Sequence, residues 1–536
     1  MSDGTFTDCI PGAVHTLLRI FDAYGDQIRL EAWPACLAVV IYTMLNDHNS
    51  VLEGMYKPDG NQAELEKDAW EETTLLLLDG VARVWSDYLE AMTRADAKVE
   101  EDSWRTLLLF YETNLRRMRI LVNSTVYASL QRILAQVDTV ERVGPTAMSV
   151  LWRFWSDGMA IVEPEGSPMT RGAYQEALSN YLAIFKELYR LLESTLDIAQ
   201  LTTAMERVSE CARFPDQPSY SNDVKDLTSL QKHILGCIVQ IRVGDPEVLT
   251  LIVATASDLV RLPFEKDRER RPSSYVALAR SSICFLEALT LTHTQRPEVS
   301  TGGMLSTFLG ALALPIECKY ASDSPTHGSQ LFRQATTISL RIVAAIFETG
   351  ESAPNIDEKG MHQIWMRVVK TMNAIMTARE PPASLDTSTI LADQAFDIAS
   401  FRTLRDLIIP SLGSGLIPER ILRSFTETLF QNSLIHALEP GELSDSDRDE
   451  VLGRLYEPRR GRTYDPPSSK REKMCYVCLD ELFSLVTRHD NSQERVRLAQ
   501  AASPFLILRI GLTLRAYIAV SALLRSYHPH TSHRIR

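Results

Sequence analysis

The sequence predicts an all-α protein, an α-solenoid of HEAT or armadillo type. Three observations carry the prediction. Apolar residues recur at helical spacing through almost every readable segment, strand-like alternation bounded by hairpin dipeptides is nowhere comparably strong, and about eighteen helices of ~15–25 residues can be drawn with short connectors. Helix pairs of this kind bury one face against the next pair, so the core runs along the chain. No fixed period repeats cleanly, so the prediction rests on helix density and pairing and not on a repeat motif.

Val14, Leu17, Leu18, Phe21 and Tyr24 form the first stripe, and Gly25 is read as a left-handed helix end. Trp104, Leu107, Leu108, Tyr111 and Leu115 follow, with Asp102 as the expected cap. Leu249, Ile252, Val253, Ala256 and Val260 come after Asp245-Pro246-Glu247. There the aspartate accepts from an orphan amide, the proline loses nothing at the first helical position, and the glutamate favours the positive helix end. Leu331, Ala335, Ile338, Ile342 and Ala345 make a further stripe. The uncharged stretch from Val299 to Ile316 holds Gly302, Gly303, Ser306, Thr307 and Pro315, too polar and interrupted for a bilayer span.

Longer breaks fall at 47–67, 214–223, 262–274, 316–327, 378–389 and 457–470. The break at Pro215-Asp216-Gln217-Pro218 divides an N-terminal helical-repeat lobe, 1–214, from a C-terminal one, 215–519, with residues 520–536 as an atypical tail.

With 536 residues, 45% hydrophobic and 23% charged, the chain is long and apolar enough to fold. Its net charge of −13 is unsuited to wrapping nucleic acid, which needs a basic face to displace counterions, so no nucleic-acid partner is expected. Seven arginines and no acid follow Glu494, so residues 1–494 carry −20. Eight cysteines lie mostly inside apolar helical patterns, which reads as reduced thiols of a cytosolic protein. No signal peptide is read, because Met1 to Thr7 carries no positive charge and no apolar run follows until Ala13.

The enzyme signatures fail one by one: there is no phosphate-cradling G-x-x-x-x-G-K-[ST], no G-x-G-x-x-G, no H-E-x-x-H, no G-x-S-x-G and no Asp-Asp pair. The chain reads as a non-enzyme without cofactor or metal. Cys475 and Cys478 share a stripe with Leu479, Leu482 and Val486, which makes core packing the reading over a metal half-site with His489. Asp445-Ser-Asp447-Arg-Asp449 opens like a calcium loop. It fails where the sixth position needs glycine and has Glu450, and where the twelfth needs a bidentate glutamate and has Tyr456. His528, His530 and His533 read as a solvated tail. Trp152, Phe154 and Trp155, like Trp33, Trp70, Trp85 and Trp104, read as helix-pair core.

One surface feature stands out. Arg459, Arg460, Arg462, Lys470, Arg471 and Lys473 bring six cations into fifteen positions. They are the candidate membrane or partner contact, able to meet anionic lipid headgroups at about 1 kcal/mol each or an acidic partner. The competing reading has them capping helix ends or pairing with the acids of the array.

Several strings go further. His15-Thr-Leu-Leu-Arg-Ile-Phe-Asp-Ala-Tyr-Gly-Asp-Gln27 and Leu30-Glu-Ala-Trp33 resemble the C-terminal region of the fungal endosomal peripheral membrane protein family, the monensin-sensitivity scaffold related to the large Arf exchange factors. Leu151 to Gly158, Ser219 to Asp223, Tyr275 to Ala279, Leu314 to Tyr320, Leu455 to Arg462, Cys478 to Leu482 and Ser503 to Arg509 continue the match in order. The resemblance implies a non-catalytic helical-repeat scaffold on the cytosolic face of Golgi and endosomal membranes. It implies as partners a Dopey-type protein, a lipid flippase and an Arf-like GTPase. Val520 to Arg536 departs from the family's pattern, and the family is much longer than this chain. The alternative reading is an acidic nuclear-transport-like helical-repeat binding protein, which shares the helix pairs and the negative charge.

Overall fold

A computed structural model describes residues 4–55, 64–93, 97–116, 119–158, 168–213, 223–265, 274–294, 302–320, 331–347, 358–376, 381, 385–414, 417–435, 471–488 and 492–527. The described residues are helical with no strand, as the apolar periodicity predicts. They form two compact units. The first takes residues 1–255 with 267–278, and the second 256–266 with 279–536. The break expected at Pro215–Pro218 lies outside the described residues.

The first unit opens with α1 (Gly4–Tyr24), α2 (Trp33–Ala35), a π-helical segment (Cys36–Ile41) and α3 (Tyr42–Met55). It continues with α4 (Glu64–Thr93), α5 (Ala97–Leu115), α6 (Ile120–Ala135), α7 (Pro145–Ser156), α8 (Pro168–Leu192), α9 (Ile198–Arg213), α10 (Ser229–Val239) and the start of α11 (Pro246–Arg261). Alternate helices share a layer: α1, α4, α6, α8 and α10 pack in succession, and α3, α5, α7 and α9 form the row behind them. This is the stacking of a helical-repeat protein, in which each pair covers the apolar face of the one before.

Local chemistry sets the helix ends. Thr228 and Gln231 exchange hydrogen bonds in a capping box at the start of α10, and Asp197 and Gln200 do the same before α9. At Asp245 the expected cap forms, its Oδ1 accepting from the Glu247 amide at 3.0 Å. Two expectations are corrected. Asp102 lies inside α5, where its carbonyl accepts from Thr106 Oγ1, because the helix begins five residues earlier. Gly25 belongs to a 3₁₀ turn and has no left-handed backbone. Glycine is required there because a Cβ would overlap the ring of Tyr88, whose hydroxyl donates to the Phe21 carbonyl at 3.0 Å.

Aromatic rings fill this unit. Trp33 packs between Phe21 and Tyr88 at 6.0 and 5.0 Å, and Trp85 meets Trp104 edge-on at 4.8 Å. Trp155 stacks on Tyr181 and Phe185 at 5.2 and 4.9 Å. Its Nε1 donates to the Tyr181 carbonyl at 3.0 Å while the Tyr181 hydroxyl donates to the Trp155 carbonyl at 2.7 Å, a reciprocal joint between α7 and α8. Trp152, one turn back, is half-buried. Buried Asp223 clamps a distant segment of chain, the loop before residue 276. Its carboxylate accepts from the Ser274 and Tyr275 amides at 2.8 and 2.9 Å and from Gln231 Nε2 at 2.8 Å. Tyr275 is held at φ 56° there, the one non-glycine residue with positive φ among the described residues.

The second unit comprises the rest of α11, most of α12 (Val276–Thr294), then α13 (Gly302–Glu317), α14 (Leu331–Phe347), α15 (Glu358–Met376), α16 (Thr387–Leu412), α17 (Glu419–Asn432), α18 (Glu472–Thr487) and α19 (Gln493–Tyr527). The same alternation holds, with α13, α15, α17 and α19 in one layer and α14, α16 and α18 in the other.

Candidate functional site

The cationic stretch divides when its residues are located. Arg459, Arg460, Arg462 and Lys470 lie outside the described residues, and Lys473 is exposed on the first turn of α18. Arg471 is fully buried and is removed from the surface set. Consecutive helical residues turn by 100°, so positions 471 and 473 face nearly opposite ways at the start of α18.

Arg471 belongs to a buried ionic cluster that joins four elements. Asp397 on α16 accepts from both Arg471 and Lys319, the latter just past the end of α13, and all three side chains are inaccessible to solvent. Lys319 Nζ also approaches the Ile375 carbonyl of α15 at 3.4 Å. One turn back on α16, Asp393 pairs with Arg333 of α14 at 2.7 Å. Tyr320, Phe332 and Phe396 line the cluster, with Lys319 Nζ 5.5 and 5.7 Å from the first two rings and Arg333 Cζ 5.3 Å from the third. Burial pulls the Lys319 ammonium down to about 8 even though Asp397 opposes the shift. Burial pushes the Tyr320 hydroxyl up to about 12. The cluster has no opening to solvent at its centre, so its role is to lock helices together.

Sequence reasoning missed this cluster, although a signal for it exists. Ile390, Asp393, Asp397, Phe401, Leu404 and Ile408 lie on one buried stripe of α16, so two carboxylates occupy an apolar phase and require buried cations.

Four of the thiols, those of Cys211, Cys237, Cys475 and Cys478, behave as core, whereas Cys284 is exposed. Cys475 and Cys478 are buried, with Sγ of Cys475 donating to the Leu434 carbonyl at 3.4 Å and Cys478 lying 3.5 Å from Met376 Sδ. Burial raises the thiols of Cys211 and Cys478 strongly and that of Cys237 to about 12, the opposite of what a nucleophile or metal ligand needs. No group of three or more metal-binding side chains occurs among the described residues. The calcium-like string from Asp445 and the tail histidines lie outside them.

Three surface recesses stand out among the described residues. In the first unit an apolar one of about 640 Å³ lies among Val14, Leu17, Val39, Val51, Trp70 and Leu77. A second, of about 450 Å³, crosses α4, α6 and α8 and carries Asp79, Glu176 and Arg132, the arginine pairing with Asp79 at 3.0 Å. The third, in the second unit, holds about 680 Å³ across α13, α15 and α17. Its lining includes Arg367, Lys370 and Arg420 and, among the described residues, no carboxylate.

No helix of the described residues is long and apolar enough to cross a membrane. No family model matches the chain. Among solved structures, it is similar to a circular tandem repeat protein with novel repeat topology and enhanced subunit contact surfaces, at 11% identity and a TM-score of 0.26 over 97% of this chain and 99% of that one. Among curated proteins, it is 20% identical over 521 residues to Protein MON2 homolog of Schizosaccharomyces pombe. The matched region is 95% of this chain and 31% of that protein, so the chain spans about a third of the relative it resembles.

Proposed function

We propose that the chain is a non-catalytic helical-repeat scaffold of vesicle trafficking, held peripherally on the cytosolic face of Golgi and endosomal membranes. The observation that carries this reading is the similarity to the fission-yeast MON2 homolog, which extends over nearly the whole chain. Stacked helix pairs with long lateral faces suit protein binding. The partners expected under this reading are a Dopey-type protein, a lipid flippase and an Arf-like GTPase. To test it, this chain replaces the matching region of the fission-yeast protein and the fluorescent chimaera is imaged. Punctate Golgi and endosomal signal with restored traffic supports the proposal, whereas a nuclear or diffuse chimaera that restores nothing rejects it.

Arg459, Arg460, Arg462, Lys470 and Lys473 are proposed as the contact with anionic lipid. Reversing the charge at Arg459, Arg460 and Arg462 is expected to weaken binding to anionic liposomes while leaving the melting temperature unchanged. Equal liposome binding by variant and parent rejects that contact.

A further inference from the structure

We propose that the groove across α13, α15 and α17 binds an acidic peptide segment in extended form. The inference rests on the groove itself and does not depend on the trafficking reading.

One of the cations is built into the fold, while Lys370 and Arg420 are exposed. Arg367 of α15 lies half-buried across α13, its Nε directed at Ser306 Oγ at 3.4 Å. It lies close over Gly310: a Cβ there would meet the Arg367 guanidinium carbon at 3.1 Å and Nε at 3.2 Å, so the guanidinium would have to shift by a few tenths of an ångström. Arg420 of α17 donates to His362 Nε2, which makes that ring nitrogen an acceptor and aims the guanidinium across the groove. Lys370 meets Glu317 at 3.1 Å from half-exposed positions, a weak pair that leaves donors for a ligand. The recess is therefore positive on a chain whose net charge is −13. More distant acids are screened over a Debye length of about 10 Å.

The shape selects the ligand. Helices of one layer stand ~8–10 Å apart, so a groove over three of them runs for about 20 Å, the length of about six extended residues. A single phosphate or lipid headgroup occupies a fraction of that. Asn373 accepts at Oδ1 from Asn432 Nδ2 at 3.2 Å and keeps its own amide hydrogens for a peptide carbonyl. Met366, 41% exposed on the same wall, offers apolar contact to an alternate side chain. Carboxylates at separated positions then meet the guanidiniums of Arg367 and Arg420, whose planar fork matches them.

The test uses the full chain and a fluorescein-labelled peptide of alternating glutamate and leucine, read by anisotropy, with a glutamine-for-glutamate peptide and phosphatidylserine vesicles as comparisons. The glutamate peptide is expected to bind, the glutamine peptide to bind at least about ten-fold more weakly, and added salt to release the complex. Lys370→Glu with Arg420→Glu, both at exposed positions, is expected to cost about a hundred-fold in affinity. Gly310→Ala, which changes no charge, is expected to lower affinity several-fold by displacing Arg367. Arg132→Glu in the α4, α6, α8 recess is expected to change nothing. The proposal is overturned if the peptide fails to bind, if the glutamine peptide binds equally, or if the double variant binds like the parent. Vesicle capture lost in the double variant and not competed by peptide also overturns it, in favour of a lipid site. If circular dichroism shows the double variant unfolded, Gly310→Ala alone decides, and unchanged affinity there rejects the proposal.

Discussion

The two units reach the same alternating stack with different buried chemistry. The first holds its helices with rings: six of the seven tryptophans fall within it, and Trp33, Trp85, Trp104 and Trp155 are buried against other aromatics. The second has one tryptophan, Trp365, and sets at its centre three cations and two carboxylates. Ring packing tolerates small rearrangement, since each contact contributes a little. A buried ionic cluster does not when its shared carboxylate is lost, because two cations are then left in low dielectric.

That contrast predicts a ranked series. Asp397→Ala leaves Lys319 and Arg471 facing each other and is expected to cost about 5 kcal/mol in urea unfolding. Tryptophan fluorescence senses mainly the first unit, so the loss should appear in circular dichroism before it appears in fluorescence. Coincident shifts in both signals break the distinction between the units. Trp155→Ala is expected to cost about 4 kcal/mol through the cavity it opens, with fluorescence moving first. Tyr181→Phe removes one hydroxyl bond and keeps the ring, for a loss of about 1 kcal/mol.

The smallest effect is expected for Lys319→Met, within about 1 kcal/mol at neutral pH, because Arg471 and Asp397 remain a balanced pair. Its pH dependence is more telling. In the folded chain Lys319 is lowered to about 8 from 10.5, so between those values the unfolded chain binds more protons at this site. The parent should therefore gain stability relative to Lys319→Met as pH rises from about 8 to about 10.5. A constant difference across that window removes Lys319 from the list of strained charges.

Much of the fold was readable because a helix stripe is a local property. Val14, Leu18 and Phe21, or Leu331, Ala335 and Ile338, are buried where their spacing places them. Joints between distant residues were not. Asp223 reaches Ser274 across 51 residues and Lys319 reaches Asp397 across 78, separations that no window of sequence contains. The resembling strings nevertheless carry these joints. Asp223 closes one of them, Tyr275 opens another, and Lys319 belongs to a third, so strings marked by family likeness include residues that hold parts of the chain together. Arg471 was misread for a local reason: in a run of cations, composition hides which residue faces inward. The basic groove left no trace in sequence because Arg367, Arg420 and Gly310 come from three helices.

The reciprocal bonds between Trp155 and Tyr181 have a mechanical consequence. Each residue gives its side-chain proton to the other's carbonyl, so α7 and α8 resist sliding in either direction. A displacement of one helical rise, about 1.5 Å, breaks two buried bonds at once. Load applied along this part of the stack therefore passes through α7 and α8 as one stiff member.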